Sequence, residues 1–211
     1  MRSCKRSPIS RAVHRSKRAP KPKAIPVVTA GDWADGADAL NAEAVVVTNR
    51  LALRRLTIAD APFMLALLNE PSFHAFIGDR GVRTVADAEV YLQNGALASY
   101  VTNGFGLYLV ALRDSGTAIG ICGLVRREGL DDADIGFAYH PAYWGQGYAD
   151  EAAHGVLQHA RQHLGLQRVA AITNPDNARS IRLLEKLGLK FIRKLQLTAD
   201  ASVVSLYLGD L

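Results

Sequence analysis

Cysteine is scarce in this sequence: 211 residues carry two, Cys4 and Cys122. One sits in a basic stretch and the other between Ile121 and Gly123 in an apolar run, so they exclude a disulfide framework and read as reduced thiols. Cys122 is placed for packing rather than for nucleophilic attack. Long hydrophobic runs are missing as well; none approaches the roughly 18 residues of a membrane-spanning helix. The expected location is the cytoplasm. Internal repeats are absent, and with them the solenoid and propeller classes.

Acids are missing from the first 23 residues, which hold nine Lys/Arg and a charge of +9. Residues 24–45 reverse the imbalance, with four acids and no base. From Val46 onward sixteen bases face sixteen acids, so the formal net charge of +5 belongs to the N-terminal stretch alone. Residues 1–45 show no periodic apolar face and read as a disordered tail, leaving 46–211 as the folded domain. For the first 23 residues three readings compete, with a bland solvated tail favoured. These are an arm for nucleic acid or the ribosome, an organelle transit peptide, and an overextended translation start.

The folded part alternates strand and helix signals. Thr48–Leu56 reads as a strand with Leu51 and Leu53 on one face. Thr57-x-x-Asp60 is a capping box with Pro62 in the first turn, opening a helix to about Asn69. Pro71 and Gly78 to Gly81 mark a loop. Thr84-x-x-Asp87 opens a second helix carrying Val90, Leu92, Leu97 and Val101, ended by Asn103-Gly104. Phe105–Leu112 and Ala118–Arg127 form a hairpin around Asp114-Ser115-Gly116. A polar reversal, Arg126 to Ala133, leads into the strand Asp134–His140. A long helix ends at Gly165. The strand Gln167–Thr173, a helix from about Ala178 to Leu187, and the strands Lys190–Leu197 and Ser202–Leu208 follow.

The most informative stretch is Tyr143-Trp144-Gly145-Gln146-Gly147-Tyr148-Ala149-Asp150-Glu151. It joins the end of an apolar strand to a helix whose Ala152, Ala153, Val156, Leu157, Ala160 and Leu164 recur at helical spacing. Such a turn lines up backbone N–H groups and the positive end of the helix toward an anion. Gly145 and Gly147 would let a pyrophosphate approach the main chain. No lysine or Ser/Thr follows in Walker fashion, so this is not a nucleoside triphosphate loop.

A second stretch, Asn174–Leu189, contains Asn177-x-x-Ser180-x-x-Leu183-Leu184-Glu185-Lys186-Leu187-Gly188-Leu189. Together the two stretches resemble the GNAT N-acetyltransferase superfamily, with loop pattern Q/R-x-x-G-x-G/A and helix pattern N-x-x-S/A-x-x-L-Y-E-K-L-G-F. The likeness spans roughly Val47 to Leu208 and is closest to the branch acting on ribosomal proteins, RimJ and RimL. It implies a mixed α/β (α+β) GNAT fold: a mostly antiparallel twisted sheet of about seven strands flanked by about four helices. It also implies acetyl-CoA as co-substrate. Backbone groups of Phe137, Ala138 and Tyr139 would pair with pantetheine where two strands splay. The amides of Gly145, Gln146, Gly147, Tyr148, Ala149 and Asp150 would cradle the pyrophosphate. Asn177 and Ser180 would meet the cofactor arm, although both residue types also suit the cap of the helix that follows.

Three positions depart from the family pattern. Trp144 stands in place of Gln or Arg, Leu184 in place of the tyrosine acid, and Ile172 in place of a glutamate base. Asp134 is the remaining candidate base; the competing reading is a solvated strand-start acid beside Asp131 and Asp132. His140 either serves as a base or simply precedes Pro141. His159 and His163 have the spacing of metal ligands but no accompanying carboxylate motif, and no metal is expected. The expected activity is direct acetyl transfer from acetyl-CoA to a primary amine, with a protein or peptide α-amine favoured over a small-molecule amine. A silent acyl-CoA-binding module and a nucleic-acid- or ribosome-associated protein are the alternatives.

Overall fold

The computed structural model describes residues 43–198 and 201–211. The basic stretch 1–23 and the residues up to 42 lie outside the described residues, and with them every reading of the tail. The sheet has eight strands: β1 (Ala44–Val47), β2 (Leu51–Arg55), β3 (Leu107–Leu112), β4 (Ala118–Val125), β5 (Asp134–Tyr139), β6 (Arg168–Thr173), β7 (Lys190–Leu195) and β8 (Val204–Asp210). Their order is β1-β2-β3-β4-β5-β6-β8-β7. Every neighbouring pair is antiparallel except β5 with β6.

Among the described residues six α-helices flank the sheet: α1 (Ala61–Leu68), α2 (Pro71–Phe76), α3 (Val85–Leu92), α4 (Ala98–Asn103), α5 (Tyr148–His163) and α6 (Ala178–Lys186). Alternating strand residues feed two cores. Val110, Ile119 and Ile135 pack with Ala152, Val156 and Leu184 of α5 and α6. Leu109 and Ile121 pack on the other face with Met64, Leu68 and Leu92 of α1 and α3. Ile119 and Ile121 share a parity yet face opposite layers, because an irregularity between Val110 and Ala111 inserts an extra residue into β4. No helix of the described residues is long and apolar enough to cross a membrane.

Several expectations need correction. The fold is the mixed α/β one expected, with eight strands where about seven were expected, the first being β1 from Ala44. The loop expected after Pro71 contains α2, with Pro71 in its first turn and Phe73 buried; proline's fixed φ suits that position. The second helix opens on its capping box as expected, Thr84 Oγ1 accepting the Asp87 N–H at 3.1 Å. It then passes through a π turn over Gln93–Leu97 before α4. That wider turn rotates the helix face. Val101, beyond the turn, is 88% exposed; Val90, ahead of it, is 53% exposed on the outer face of α3, while Leu92 is buried.

Candidate active site

The sheet opens between β5 and β6. The two strands pair at a single position, Asp134 with Ala170, where the Ala170 N–H donates to the Ala133 carbonyl at 2.8 Å. Two residues on, the Ile172 N–H is accepted not by a backbone carbonyl but by Asp134 Oδ1, at 3.0 Å. The carboxylate therefore fills the crotch of a fork. On the other side of β5, the His140 N–H donates to the Ile119 carbonyl at 3.0 Å. Antiparallel alternation then commits Ala138 to Ile121 of β4 and turns the main chain of Ile135, Phe137 and Tyr139 toward the opening. The Tyr139 carbonyl is taken by the Trp144 indole N–H at 2.8 Å, which leaves the Phe137 main chain open. Of the three β5 residues expected to offer backbone groups, Ala138 offers its side chain instead.

Beyond β5 the chain reaches the glycine turn. Gly145 and Gly147 have φ of 74° and 82°, the left-handed region that side chains resist. Gly147 caps α5 with no side-chain acceptor at that end. Among the described residues nothing accepts the N–H groups of Gly145 through Asp150, the orphan donors of a helix start. A cavity of about 900 Å³ runs along this turn and the fork. Gly145, Gly147, Tyr148, Ala149 and Asp150 border it, as do Asn177, Ser180 and Leu184 on the β6–α6 side. Gln146 does not: its side chain folds back to donate to the Ala142 carbonyl at 3.0 Å. Asn177 caps α6 by accepting the Ser180 N–H at 3.1 Å through Oδ1, which leaves its amide NH₂ uncommitted in a residue that borders the cavity. The helix-capping role is thus real and compatible with a second contact. Arg179 lies over the Trp144 ring at 4.8 Å, and Lys186 meets Asp150 at 2.9 Å, both across the opening.

Asp134 is 1% exposed, so the reading of it as a solvated acid fails. Its partner is Arg127, whose Nε donates to Oδ2. Burial raises its pKa to about 6, against the opposing pull of the Arg127 charge and hydrogen bond and of the Ile172 N–H. Each oxygen has one partner and retains lone-pair capacity, and the residue borders the cavity. His140 is fully engaged: Nδ1 accepts the Ala142 N–H at 3.3 Å and Nε2 lies 3.2 Å from Glu70. It closes a turn and is not available as a base. Asp132 pairs with Arg168 at 2.8 Å, and the rings of His159 and His163 stack at 4.9 Å. Sequence reasoning missed Arg127, which folds back onto Asp134 across the polar reversal, and Glu70 and Arg50, whose partners His140 and Glu151 lie far off in the chain and give no local signal.

Residues 50–190 match the family model described as the acetyltransferase (GNAT) domain. That match covers most of the chain, and the chain belongs to the GNAT acetyltransferase family. It is an acyltransferase, and members of the family use acetyl-CoA. The uncharacterized N-acetyltransferase YoaA of Bacillus subtilis strain 168 is 28% identical over 147 residues, spanning 69% of this chain and 82% of that protein. A GNAT-family acetyltransferase from Bordetella pertussis superposes with a TM-score of 0.65 at 26% identity, over 77% of this chain and 97% of the other. The ribosomal-protein α-N-acetyltransferase RimL, solved with coenzyme A, shares the fold with a TM-score of 0.68 at 17% identity, over 80% of this chain and 98% of its own.

Proposed function

We propose that this protein transfers acetyl from acetyl-CoA directly to a primary amine, with the α-amine of a protein or peptide as the favoured acceptor. The observation that carries this reading is the conjunction of an open fork with an unsatisfied row of amides on one cavity. Coenzyme A needs both: donors for a diphosphate, and strand-like main chain for the amides of its arm. Phe137 supplies the latter, and Gly145, Gly147, Tyr148, Ala149 and Asp150 the former. The Asn177 amide and the Ser180 hydroxyl face the same arm.

Asp134 serves as the base. A carboxyl with pKa about 6 is largely ionised at neutral pH yet more basic than an exposed aspartate. It takes the proton as the amine nitrogen bonds to the thioester carbonyl carbon and the C–S bond breaks. A main-chain N–H of β5 meets the charge developing on the carbonyl oxygen. The departing thiol resembles cysteine, with a pKa of about 8.5, so its thiolate leaves without the tyrosine that Leu184 replaces.

Acceptor preference follows from the cost of neutralising the amine. At pH 7 an α-amine of pKa about 7.8 costs roughly 1.1 kcal/mol to deprotonate, against about 4.6 for a lysine near 10.4. One weak carboxylate base copes with the first more readily than the second. The RimL-type likeness in fold agrees with this choice. The test pairs a peptide bearing a free N-terminus and blocked lysine with its converse, and follows acetylation by mass spectrometry at pH 7. The free α-amine should react at least ten-fold faster; faster reaction of the lysine peptide refutes the acceptor reading.

The folded unit is proposed to begin at β1, so a chain lacking residues 1–42 should keep its melting temperature within about 2 °C and its turnover within two-fold. Deletion through residue 45 removes half of β1, including Val45, which packs on the core. It should lower the melting temperature by several degrees. A large loss from the shorter deletion would show that the N-terminal stretch docks on the domain.

A further inference from the structure

The turn joining β1 to β2 reaches across to the glycine loop. The Glu151 carboxylate, in the first turn of α5, accepts Thr48 Oγ1 at 2.6 Å, the Arg50 main-chain N–H at 2.7 Å and Arg50 Nε at 2.6 Å. The same guanidinium donates through Nη1 to the Gln146 carbonyl at 3.0 Å and lies over the Tyr148 ring at 4.6 Å. A Cβ added to Gly147 would come within 3.3 Å of Arg50 Nη2. One side chain thus touches Gln146, Tyr148 and Glu151 and closes over Gly147, from a turn about a hundred residues away in sequence.

A trans peptide points its carbonyl and its N–H in opposite directions. With the Gln146 carbonyl held outward by Arg50, the N–H of Gly147 is turned the other way, toward the cavity that Gly147 borders. This matters because the peptide leads into Gly147, a glycine at φ 82°, whose missing Cβ leaves that side of the peptide freer to rotate. The brace has a second effect. Glu151 carries a negative charge in the first turn of the helix, and its carboxylate is drawn out toward Thr48 and Arg50 and away from the orphan amides. The loop contains no lysine of its own, and Arg50 stands behind it as a fixed positive charge.

We infer that Arg50 is a positioning residue for the diphosphate of the co-substrate, presetting the Gly147 amide and keeping the Glu151 carboxylate off the anion site. This rests on the coenzyme A reading above. Arg50 is not itself a ligand; it acts through the orientation of the loop. Because acetyl-pantetheine lacks the diphosphate, its use does not depend on that orientation.

The experiment compares kcat/KM for acetyl-CoA with kcat/KM for S-acetyl-pantetheine, together with calorimetric coenzyme A affinity, in wild type, Arg50→Met and Arg50→Lys. In Arg50→Met the acetyl-CoA value and the coenzyme A affinity should fall about 10- to 30-fold, the loss of one or two aligned charge-assisted contacts. The acetyl-pantetheine value should stay within about two-fold. Arg50→Lys keeps the charge but cannot hold Glu151 and Gln146 together, so it should recover only part of the loss. Equal falls for both donors would mean general damage and overturn the proposal, as would an Arg50→Met chain with wild-type affinity. A wild type that does not bind coenzyme A would instead sink the assignment of the co-substrate.

Discussion

Gly147→Val should abolish coenzyme A binding in a chain that still folds. Gly147 sits at φ 82°, and a Cβ there meets Arg50 Nη2 at 3.3 Å. A β-branched residue in the left-handed region costs on the order of 1–3 kcal/mol, within the roughly 5–15 kcal/mol by which a domain of this kind is stable. The cheaper response is for the turn to change conformation, which misdirects the N–H of Gly147 and of the residues that open α5. Each charge-assisted hydrogen bond to a diphosphate is worth about 1.5–3 kcal/mol. Losing two or three weakens binding by at least a hundred-fold on that scale. Calorimetry on the folded variant decides the matter, and unchanged affinity would remove the glycine turn from the site.

Asp134→Asn should slow turnover about ten- to a hundred-fold at pH 7, the lower range of general-base contributions. The amide oxygen can still accept the Ile172 N–H that Asp134 Oδ1 accepts at 3.0 Å, so the fork should persist. The pH profile separates a base from a mere wedge. Asp134 works as a carboxylate, and its pKa is raised to about 6. Wild-type kcat/KM should therefore climb as pH rises through about 6, with a further rise near the acceptor's own pKa of about 7.8. In the asparagine variant the limb near 6 should vanish and the upper limb remain. A uniform loss that leaves both limbs in place would make Asp134 a structural clasp of the fork alone.

The glycine turn was legible in the sequence because its requirements are local. Gly145 and Gly147 sit between a strand and an amphipathic helix, and both adopt the positive φ that glycine permits. Asp134 was legible as a candidate by its place at a strand start. Its burial was not, because that depends on Arg127 folding back from the preceding reversal and on where β6 leaves the sheet. The role of Ala138 turned on which way one strand's alternation points, and a single pairing register fixes that. Gln146 sits in the right loop, but its side chain prefers a carbonyl four residues back. The π turn after α3 defeated helical periodicity, which assumes a constant 3.6-residue repeat. Strand β1, four residues of Ala and Val, is too short to announce itself beside a polar stretch.

The most direct measurement is a crystal structure of the protein with coenzyme A. The diphosphate is expected within hydrogen-bonding distance of the amides of Gly145 and of Gly147 through Asp150, with the arm lying in the fork against the Phe137 main chain and the thiol end toward Asp134. Coenzyme A bound elsewhere, or a fork closed by further pairing of β5 with β6, would contradict it.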